Sequence, residues 1–469
     1  MRPVKDNPSY PQKLAASPHV SAWVSASAGT GKTKVLTDRI LNLMLNGEDP
    51  ARILCLTFTK AAATEMQTRL SHRLSAWVQM DDTQLHQSLE DLWQGPVTPH
   101  LQYKARSLFT QILDLPGGIK IQTIHGFCQT VLARFPLEAR IPAQFSILDD
   151  LTASTLLRRA SAKMLHQESQ EYPELFDLLA LHYKDKKFEE TLEDLLSQRR
   201  HLRQLRHHSL DSYSQHLKAT LNIPSSLSLL DCQAREALIA NASQEGLYDR
   251  AGLLTCLDLK ANPILEHWLA SSVEDRVKLY DQYARLFLTA DGAISKRPTV
   301  KHDGEAERIY RLNDTLNRLE IAQKSLILFV LGTAIYDHYQ QQKLSESALD
   351  YDDLIEKTIN LLNDPELAAW VLYKLDGGID HILIDEAQDT NPAQWDVIKA
   401  LMQDFFRPDK PNRTLFVVGD SKQSIYSFQG ATPHDFVQLQ HFFAQQSQAI
   451  GQSWRSVDLS ISFRSTPEI

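Results

Sequence analysis

The stretch from Ala26 to Thr33, ASAGTGKT, follows a short apolar run and ends where a helix can begin. It keeps the GxxxxGK[ST] spacing of phosphate-binding loops, with alanine at the first glycine position. Backbone N–H groups of such a loop and of the helix N-terminus hold phosphate oxygens. We expect Lys32 to reach the outer phosphates of a nucleotide and Thr33 to hold Mg²⁺. The predicted loop comprises Ala26, Ser27, Ala28, Gly29, Thr30, Gly31, Lys32 and Thr33.

A second polar cluster follows the apolar run HILI in HILIDEAQDT, which places Asp385 and Glu386 at the end of a predicted strand. Open α/β sheets bind ligands at that edge. Asp385 suits the Mg²⁺ shell, and Glu386 suits a base that activates water. The alternative is that the two carboxylates cap the next helix.

A third cluster, VVGDSKQSIYSFQGA, again ends a predicted strand with polar residues. Gln423 is a neutral donor that could sense a γ-phosphate. Tyr426 and Phe428 alternate with small polar residues, and two interpretations remain open for them. They either fill the core or form a platform on which nucleic-acid bases stack.

The elements that must position these clusters are short apolar or β-branched runs, each followed by a helix-like pattern. They lie at residues 22–26, 53–59 and 119–124, and again at 381–385 and 414–420. Strands that alternate with helices predict a parallel sheet. We therefore expect an α/β fold with one parallel sheet that is interrupted in sequence.

The interruption, from about Ile147 to about Leu344, has leucines at helical spacing and many polar residues, which predicts an all-helical insertion. Within it, QRRHLRQLRHH places Arg199, Arg203 and Arg206 on one helix face. That face is either solvated or in contact with a nucleic-acid backbone.

Composition and charge limit the class of protein. The 469 residues are too many for one core, so two or three structural units are expected. The net charge of −9 requires any nucleic-acid contact to come from a local groove. The four cysteines form no CxxC pair, which argues against a zinc site. The N-terminus lacks an apolar signal, and we expect no window of ~18 apolar residues, hence a soluble cytoplasmic protein without membrane contact.

The chain closes on FRSTPEI, which announces a helix through Ser465 or Thr466, Pro467 and Glu468. We therefore expect an N-terminal fragment of a longer polypeptide.

An ordered set of motifs resembles the UvrD/RecB-like superfamily 1 DNA helicases. The set is Gln12, ASAGTGKT, TFTKAAATEM, TIHGFCQTVLARFPLEA, DYDDLI, LIDEAQDT, VGDSKQSIYSFQGA and SFRST. Within that superfamily, TFTKAAA, Gln429 and FCQTVLARFPLEA look most like AddA subunits of bacterial AddAB helicase–nucleases.

The resemblance implies a RecA-like P-loop ATPase domain at residues 1–146 and 345–455. It implies a helical insertion at 147–344 that lies over the DNA path, and the start of a truncated second RecA-like domain at 456–469. ATP and Mg²⁺ are the implied cofactors. The implied partners are single-stranded DNA, duplex DNA ends and an AddB-like subunit.

The same resemblance implies roles for individual residues. Gln12 would read adenine, Gln423 would couple the γ-phosphate to DNA, and Arg464 would act as an arginine finger on that phosphate. Lys32, Thr33, Asp385 and Glu386 would bind triphosphate and Mg²⁺ and activate water. The implied DNA contacts are Thr57, Phe58, Thr59, His125, Phe127, Tyr426 and Phe428.

These features indicate an ATP-dependent DNA helicase that moves 3′ to 5′ and acts in double-strand break repair and recombination. A stand-alone UvrD-like repair helicase and a truncated, inactive DNA-binding remnant are the alternatives. Because a helicase needs two domains that close around ATP, we expect the isolated chain to bind Mg²⁺–ATP with little or no unwinding.

Overall fold

The computed structural model describes residues 10–27, 29–183, 185–197, 199–245, 263–296, 298–299, 303–375, 378–403, 405–406, 413–420, 422 and 433–462. The chain divides into two compact units. The sheet unit comprises residues 1–149 and 347–469, and the helical unit comprises residues 150–346.

The strands all belong to the sheet unit. They are β1 (Ser21–Ala26), β2 (Ile53–Thr57), β3 (Lys120–Thr123), β4 (Ser146–Ile147), β5 (Ala348–Leu349), β6 (His381–Ile384), β7 (Thr414–Gly419) and β8 (Trp454–Leu459). In the described part of the chain, six of them form one sheet in the order β3-β2-β6-β7-β1-β8. Every pair of neighbours in it is parallel. The expected α/β fold with a parallel sheet interrupted in sequence is confirmed.

The helices before the second part of the sheet unit are α1 (Tyr10–Ala15), α2 (Lys32–Asn46), α3 (Lys60–Gln79), α4 (Asp82–Leu92), α5 (Pro99–Leu113), α6 (Ile124–Arg134), α7 (Asp150–Glu171), α8 (Pro173–His182), α9 (Asp185–Ser197), α10 (Arg199–Leu205), α11 (Leu210–Thr220), α12 (Ala234–Glu245), α13 (Pro263–Ala270), α14 (Val273–Ala284) and α15 (Asp303–Ser345). The later helices are α16 (Tyr351–Asn363), α17 (Ala368–Lys374), α18 (Pro392–Leu401) and α19 (Pro433–Ala449).

The large sheet is buried on both faces because its strands are continuous apolar runs. β2 and β7 are buried at every position, as is typical of parallel strands with helices on both sides. Alternate residues enter two separate cores. Trp23 and Ile382 belong to one core, whereas Val24 and Leu383 belong to the other.

Helices begin almost directly after three of the strands, which brings their N-termini to the carboxyl edge of the sheet. α2 follows β1, with Gly31 as its N-cap. α3 and α6 are capped by Thr59 and Thr123, whose side-chain oxygens accept from Ala62 N–H and Gly126 N–H. The carboxyl edge therefore collects helix N-termini, where anions are stabilised.

β8 requires a correction to the predicted boundary at residue 456. Trp454 to Leu459 pair in parallel with Ser21 to Ala26 of β1, so residues 456–459 complete the same sheet instead of starting a second domain. β1 would otherwise present unpaired backbone groups at the sheet edge, and β8 satisfies them. Residues 463–469 lie outside the described part.

The helical unit is built around the 43-residue helix α15. Its core contains Trp268 stacked on Tyr283, with ring centroids 4.0 Å apart. The hydroxyl of Tyr283 donates to Glu305 at 2.7 Å, and Arg308 Nε donates to the other oxygen of Glu305 at 2.9 Å. These donors compensate a carboxylate that is buried inside an apolar core.

One expectation about hydropathy was wrong. Gly304–Ser345 contains an 18-residue window with mean hydropathy 1.4, long and apolar enough by composition to cross a membrane. That criterion alone is weak evidence, because core helices of soluble proteins also meet it. Of this window, 56% is buried in the protein, which fits a core helix.

Candidate active site

The loop between β1 and α2 folds back on itself. Thr30 donates to the carbonyl oxygen of Ser27 through its backbone N–H at 3.3 Å and through its hydroxyl at 2.8 Å. Gly31 has φ +87°, and a Cβ at this position would lie 2.9 Å from Nε2 of Gln12. Both the backbone angle and the close approach therefore require glycine here.

Gln12 closes the loop from the other side. Its side chain is 5% exposed, and Nε2 donates to the carbonyl oxygen of Thr30 at 2.8 Å. The predicted contact of Gln12 with adenine stays a prediction. What the structure adds is a bond that fixes the loop conformation through the residue just before Gly31.

Lys32 and Glu386 are brought together although 354 residues separate them. Lys32 Nζ lies 2.9 Å from Glu386 Oε2, and their side chains are 13% and 34% exposed. The pair spans the carboxyl edge of the sheet, from the start of α2 to the turn after β6. Two residues predicted to act on the same phosphate group therefore share one site.

Asp385 is the buried carboxylate of this site, 6% exposed. Burial and the negative charge of Glu386 raise the pKa of Asp385 to about 6, while Lys32 acts in the opposite direction. A buried carboxylate that is costly to ionise alone gains from a cation. Carboxylate and hydroxyl oxygens are ligands that Mg²⁺ prefers, so Asp385 and the predicted partner Thr33 fit that ion.

The backbone of Glu386 is left-handed, with φ 50° and ψ 44°. For a residue with a Cβ, this conformation costs roughly 1–2 kcal/mol. The short 3-10 turn that follows receives no side-chain cap from Glu386. The next helix, α18, is capped by Asn391 in a reciprocal capping box with Gln394. The alternative that the carboxylates cap the following helix is therefore wrong.

Gln388 is a buried residue of the site that we did not single out from the sequence. Its Nε2 donates to Glu386 Oε2 at 2.7 Å and to Asp389 Oδ2 at 3.1 Å. Its Oε1 accepts from the backbone N–H of Asp420 at 2.8 Å. The side chain thus links the turn after β6 to the end of β7. Its place two residues beyond Glu386 was the available signal.

The predicted nucleic-acid contacts near β2 differ in accessibility. Thr57 is 1% exposed, and its hydroxyl donates to the carbonyl oxygen of Thr59 at 3.0 Å. Thr59 is exposed and uses its side-chain oxygen to cap α3. Phe58 is partly exposed. Phe58 and Thr59 therefore lie at the surface at the carboxyl edge, whereas Thr57 is buried.

Phe127 requires a correction, because it is 3% exposed and packs in an apolar core of the sheet unit. His125, two residues earlier, is partly exposed. Its ring meets Tyr351 edge to face, with centroids 5.1 Å apart. Tyr351 is 37% exposed. The structure therefore replaces buried Phe127 by Tyr351 as the aromatic neighbour of His125 at the surface.

The predicted arginine face of the helical unit is described in part. Arg206 lies 3.2 Å from Asp337, and both side chains are more than 40% exposed, at 41% and 44%. An exposed ion pair of this kind contributes little stability. It fits a solvated face, while the side chain of Arg199 lies outside the described part.

Five predicted site residues lie outside the described residues: Ala28, Gln423, Tyr426, Phe428 and Arg464.

A glycine-bearing phosphate loop after the first strand of a parallel sheet, faced by carboxylates after a second strand, defines an α/β P-loop protein. The chain belongs to the UvrD/REP helicase family, whose N-terminal domain matches residues 7–278 and 312–444. The resemblance predicted from the motifs is therefore confirmed. Membership of a helicase family implies the use of ATP.

Curated relatives are named as the AddA-type subunits of ATP-dependent helicase/nucleases. The relative from Lactobacillus gasseri is 26% identical over 95% of this chain and 38% of its own length. The relative from Pediococcus pentosaceus is 24% identical over 94% of this chain and 36% of its own length. The chain thus spans less than two-fifths of the curated relatives that it matches.

Proposed function

We propose that this chain is the nucleotide-binding portion of an ATP-dependent DNA helicase that moves 3′ to 5′ on single-stranded DNA. It acts in double-strand break repair in the bacterial cytoplasm, as an AddA-like subunit with an AddB-like partner. The family match and the names of the relatives support this proposal. The RecA-like domain comprises residues 1–146 and 345–455 together with β8, and the insertion contacts DNA.

The observation that carries the proposal is the 2.9 Å pair of Lys32 Nζ and Glu386 Oε2 beside the phosphate loop. When ATP binds, Lys32 exchanges this carboxylate for the outer phosphate oxygens. The released Glu386 takes a proton from water as the water oxygen attacks the γ-phosphorus, and the bond to the bridging oxygen breaks. Asp385 and Thr33 would hold Mg²⁺, which neutralises charge on the phosphates.

Single-stranded DNA would lie along the carboxyl edge of the sheet unit. Phe58, His125 and Tyr351 are partly exposed there and offer ring surfaces. Stacking of bases on aromatic rings tolerates any sequence, as a translocating protein requires. Tyr426 and Phe428 extend this surface, and Gln423 and Arg464 sense the γ-phosphate.

Lys32→Ala tests the proposal, with Lys34→Ala as the matched control. Lys34 lies two residues further along α2, is 54% exposed and pairs with Asp38 at 2.6 Å. Both variants lose one cation from the same helix, but only Lys32 faces the site. We expect Lys32→Ala to lower the rate of ATP hydrolysis by at least about a hundredfold, because the charge on the outer phosphates loses its fixed partner.

The measurement is single-turnover hydrolysis of Mg²⁺–ATP by the purified 469-residue chain, with and without single-stranded DNA. The control variant should stay within about twofold of the parent. Near-normal, DNA-stimulated hydrolysis in Lys32→Ala would refute the assignment. Binding of DNA without any binding of ATP by the parent would favour the inactive remnant.

A further inference from the structure

Gln388 occupies a position whose chemistry is fixed by its neighbours. It is 3% exposed and lies between two carboxylates and a backbone N–H group. The N–H of Asp420 can only donate, so the amide oxygen of Gln388 must point toward the end of β7. The NH₂ group must then point toward Glu386 and Asp389, which can only accept when ionised.

Each polar group of this amide has a use. The two N–H bonds go to Glu386 Oε2 at 2.7 Å and to Asp389 Oδ2 at 3.1 Å, and the oxygen accepts at 2.8 Å. Satisfied polar networks of this kind fix side-chain positions inside a protein. Gln388 therefore ties the Glu386 carboxylate to the backbone at the end of a neighbouring strand.

The oxygen that Gln388 contacts is the one that Lys32 also contacts. Lys32 Nζ lies 2.9 Å from Glu386 Oε2. If Lys32 moves to the phosphates of ATP, Gln388 remains as the donor to Oε2 among the side chains that the structure describes. Oε1 of Glu386 is then the oxygen left to take the proton from water.

We propose that Gln388 is a positioning residue that holds the Glu386 carboxylate in place for water activation after Lys32 has turned to the nucleotide. This inference rests on the proposed function. It assigns to Gln388 an effect on the rate of hydrolysis and not on the affinity for ATP, because Gln388 contacts the base and not the phosphate loop.

Other side chains do not meet these requirements. Glutamate would bring a negative charge against Glu386 and Asp389 and would lose both N–H donors. Methionine keeps a similar length and volume but offers no donor. The two substitutions Gln388→Met and Gln388→Glu therefore remove the hydrogen bonds while retaining most of the packing.

The test measures single-turnover hydrolysis of Mg²⁺–ATP and the Kd of a fluorescent ATP analogue for both variants of the 469-residue chain. Gln403→Met is the matched control, since Gln403 is an exposed glutamine that donates to Asn363 at 2.6 Å. We expect Gln388→Met to lower the rate constant by about tenfold to a hundredfold, since small misplacements of reacting groups cost that much. The Kd should stay within about twofold. Gln388→Glu should lose at least as much rate.

A rate constant within twofold of the parent, or a Kd weakened as much as the rate, would overturn the proposal. A second measurement does not depend on turnover. The Tm shifts of Gln388→Met and Glu386→Gln should be non-additive in the double variant, because each single change breaks the same bond; additive shifts overturn the contact. Normal hydrolysis in Lys32→Ala would instead refute the proposed function and leave this coupling result standing.

Discussion

Glu386→Gln separates nucleotide binding from hydrolysis. In the structure, ATP must compete with Glu386 for Lys32, since Nζ and Oε2 are 2.9 Å apart. A hydrogen bond to a charged group contributes about 1.5–3 kcal/mol, and the 34% exposure of Glu386 lowers this to about 0.5–1.5 kcal/mol. Replacing the carboxylate by a neutral amide should therefore tighten ATP binding by roughly two- to tenfold, because 1.4 kcal/mol corresponds to a tenfold change.

The same substitution removes the base. General-base catalysis contributes roughly 10²–10⁴ in rate, so hydrolysis should fall by at least about a hundredfold. The assay combines titration of a fluorescent ATP analogue with single-turnover hydrolysis, both with Mg²⁺ present. Glu90→Gln, which neutralises a 62% exposed carboxylate on α4, is the control. Weakened ATP affinity that matches the loss of rate would refute the division of roles between Lys32 and Glu386.

Phe127→Ala should lower the free energy of unfolding by about 3–5 kcal/mol, as for other buried phenylalanines, with little change in DNA affinity, measured by urea unfolding and fluorescence anisotropy. A weakened DNA complex with unchanged stability would restore the predicted DNA contact. His381→Gln tests pH dependence: burial, aided by Arg39 and opposed by Glu48, lowers the pKa of His381, so the native state resists protonation. The stabilising contribution of His381 is full above about pH 6.5 and is lost as pH falls below it, because the unfolded chain binds the proton more readily. In urea unfolding between pH 7.5 and 5.5, the parent should lose more stability than the variant; an equal loss would contradict this.

The residues that carry phosphate chemistry could be predicted from the sequence because short-range rules fix them. The loop from Ala26 to Thr33 needs only a strand, a turn with glycines and a helix start. Asp385 and Glu386 follow an apolar run, so their place at a strand end is also local. The meeting of Lys32 with Glu386 then follows from the geometry of a parallel sheet, in which all carboxyl ends share one edge.

Phe127 shows where the motif misled although the pattern held the answer. Ile124, Phe127, Cys128 and Val131 recur at the three- and four-residue spacing of a buried helix face. All four are buried in the same core. The resemblance assigned Phe127 to a DNA path because it lies next to His125, but helical periodicity points the two side chains in different directions.

β8 could not be placed from local pattern. The run VDLSIS predicts a strand, but the sheet that it joins depends on which edge is open. Because β1 lies between β7 and the sheet margin, it accepts β8 as a parallel neighbour. That choice is a matter of tertiary pairing, which no spacing within residues 454–459 encodes.

Gln388 could not be assigned from the sequence for a related reason. Its amide reaches Asp420 only because β6 and β7 are neighbours, and the approach is close: a Cβ on Gly419 would lie 2.8 Å from Gln388 Oε1 and 2.8 Å from Phe436 Cε2. Gly419 therefore leaves the space through which the turn after β6 meets the end of β7. The position of the proposed base thus depends on a glycine one strand away, and sheet order is the level of structure at which the two become connected.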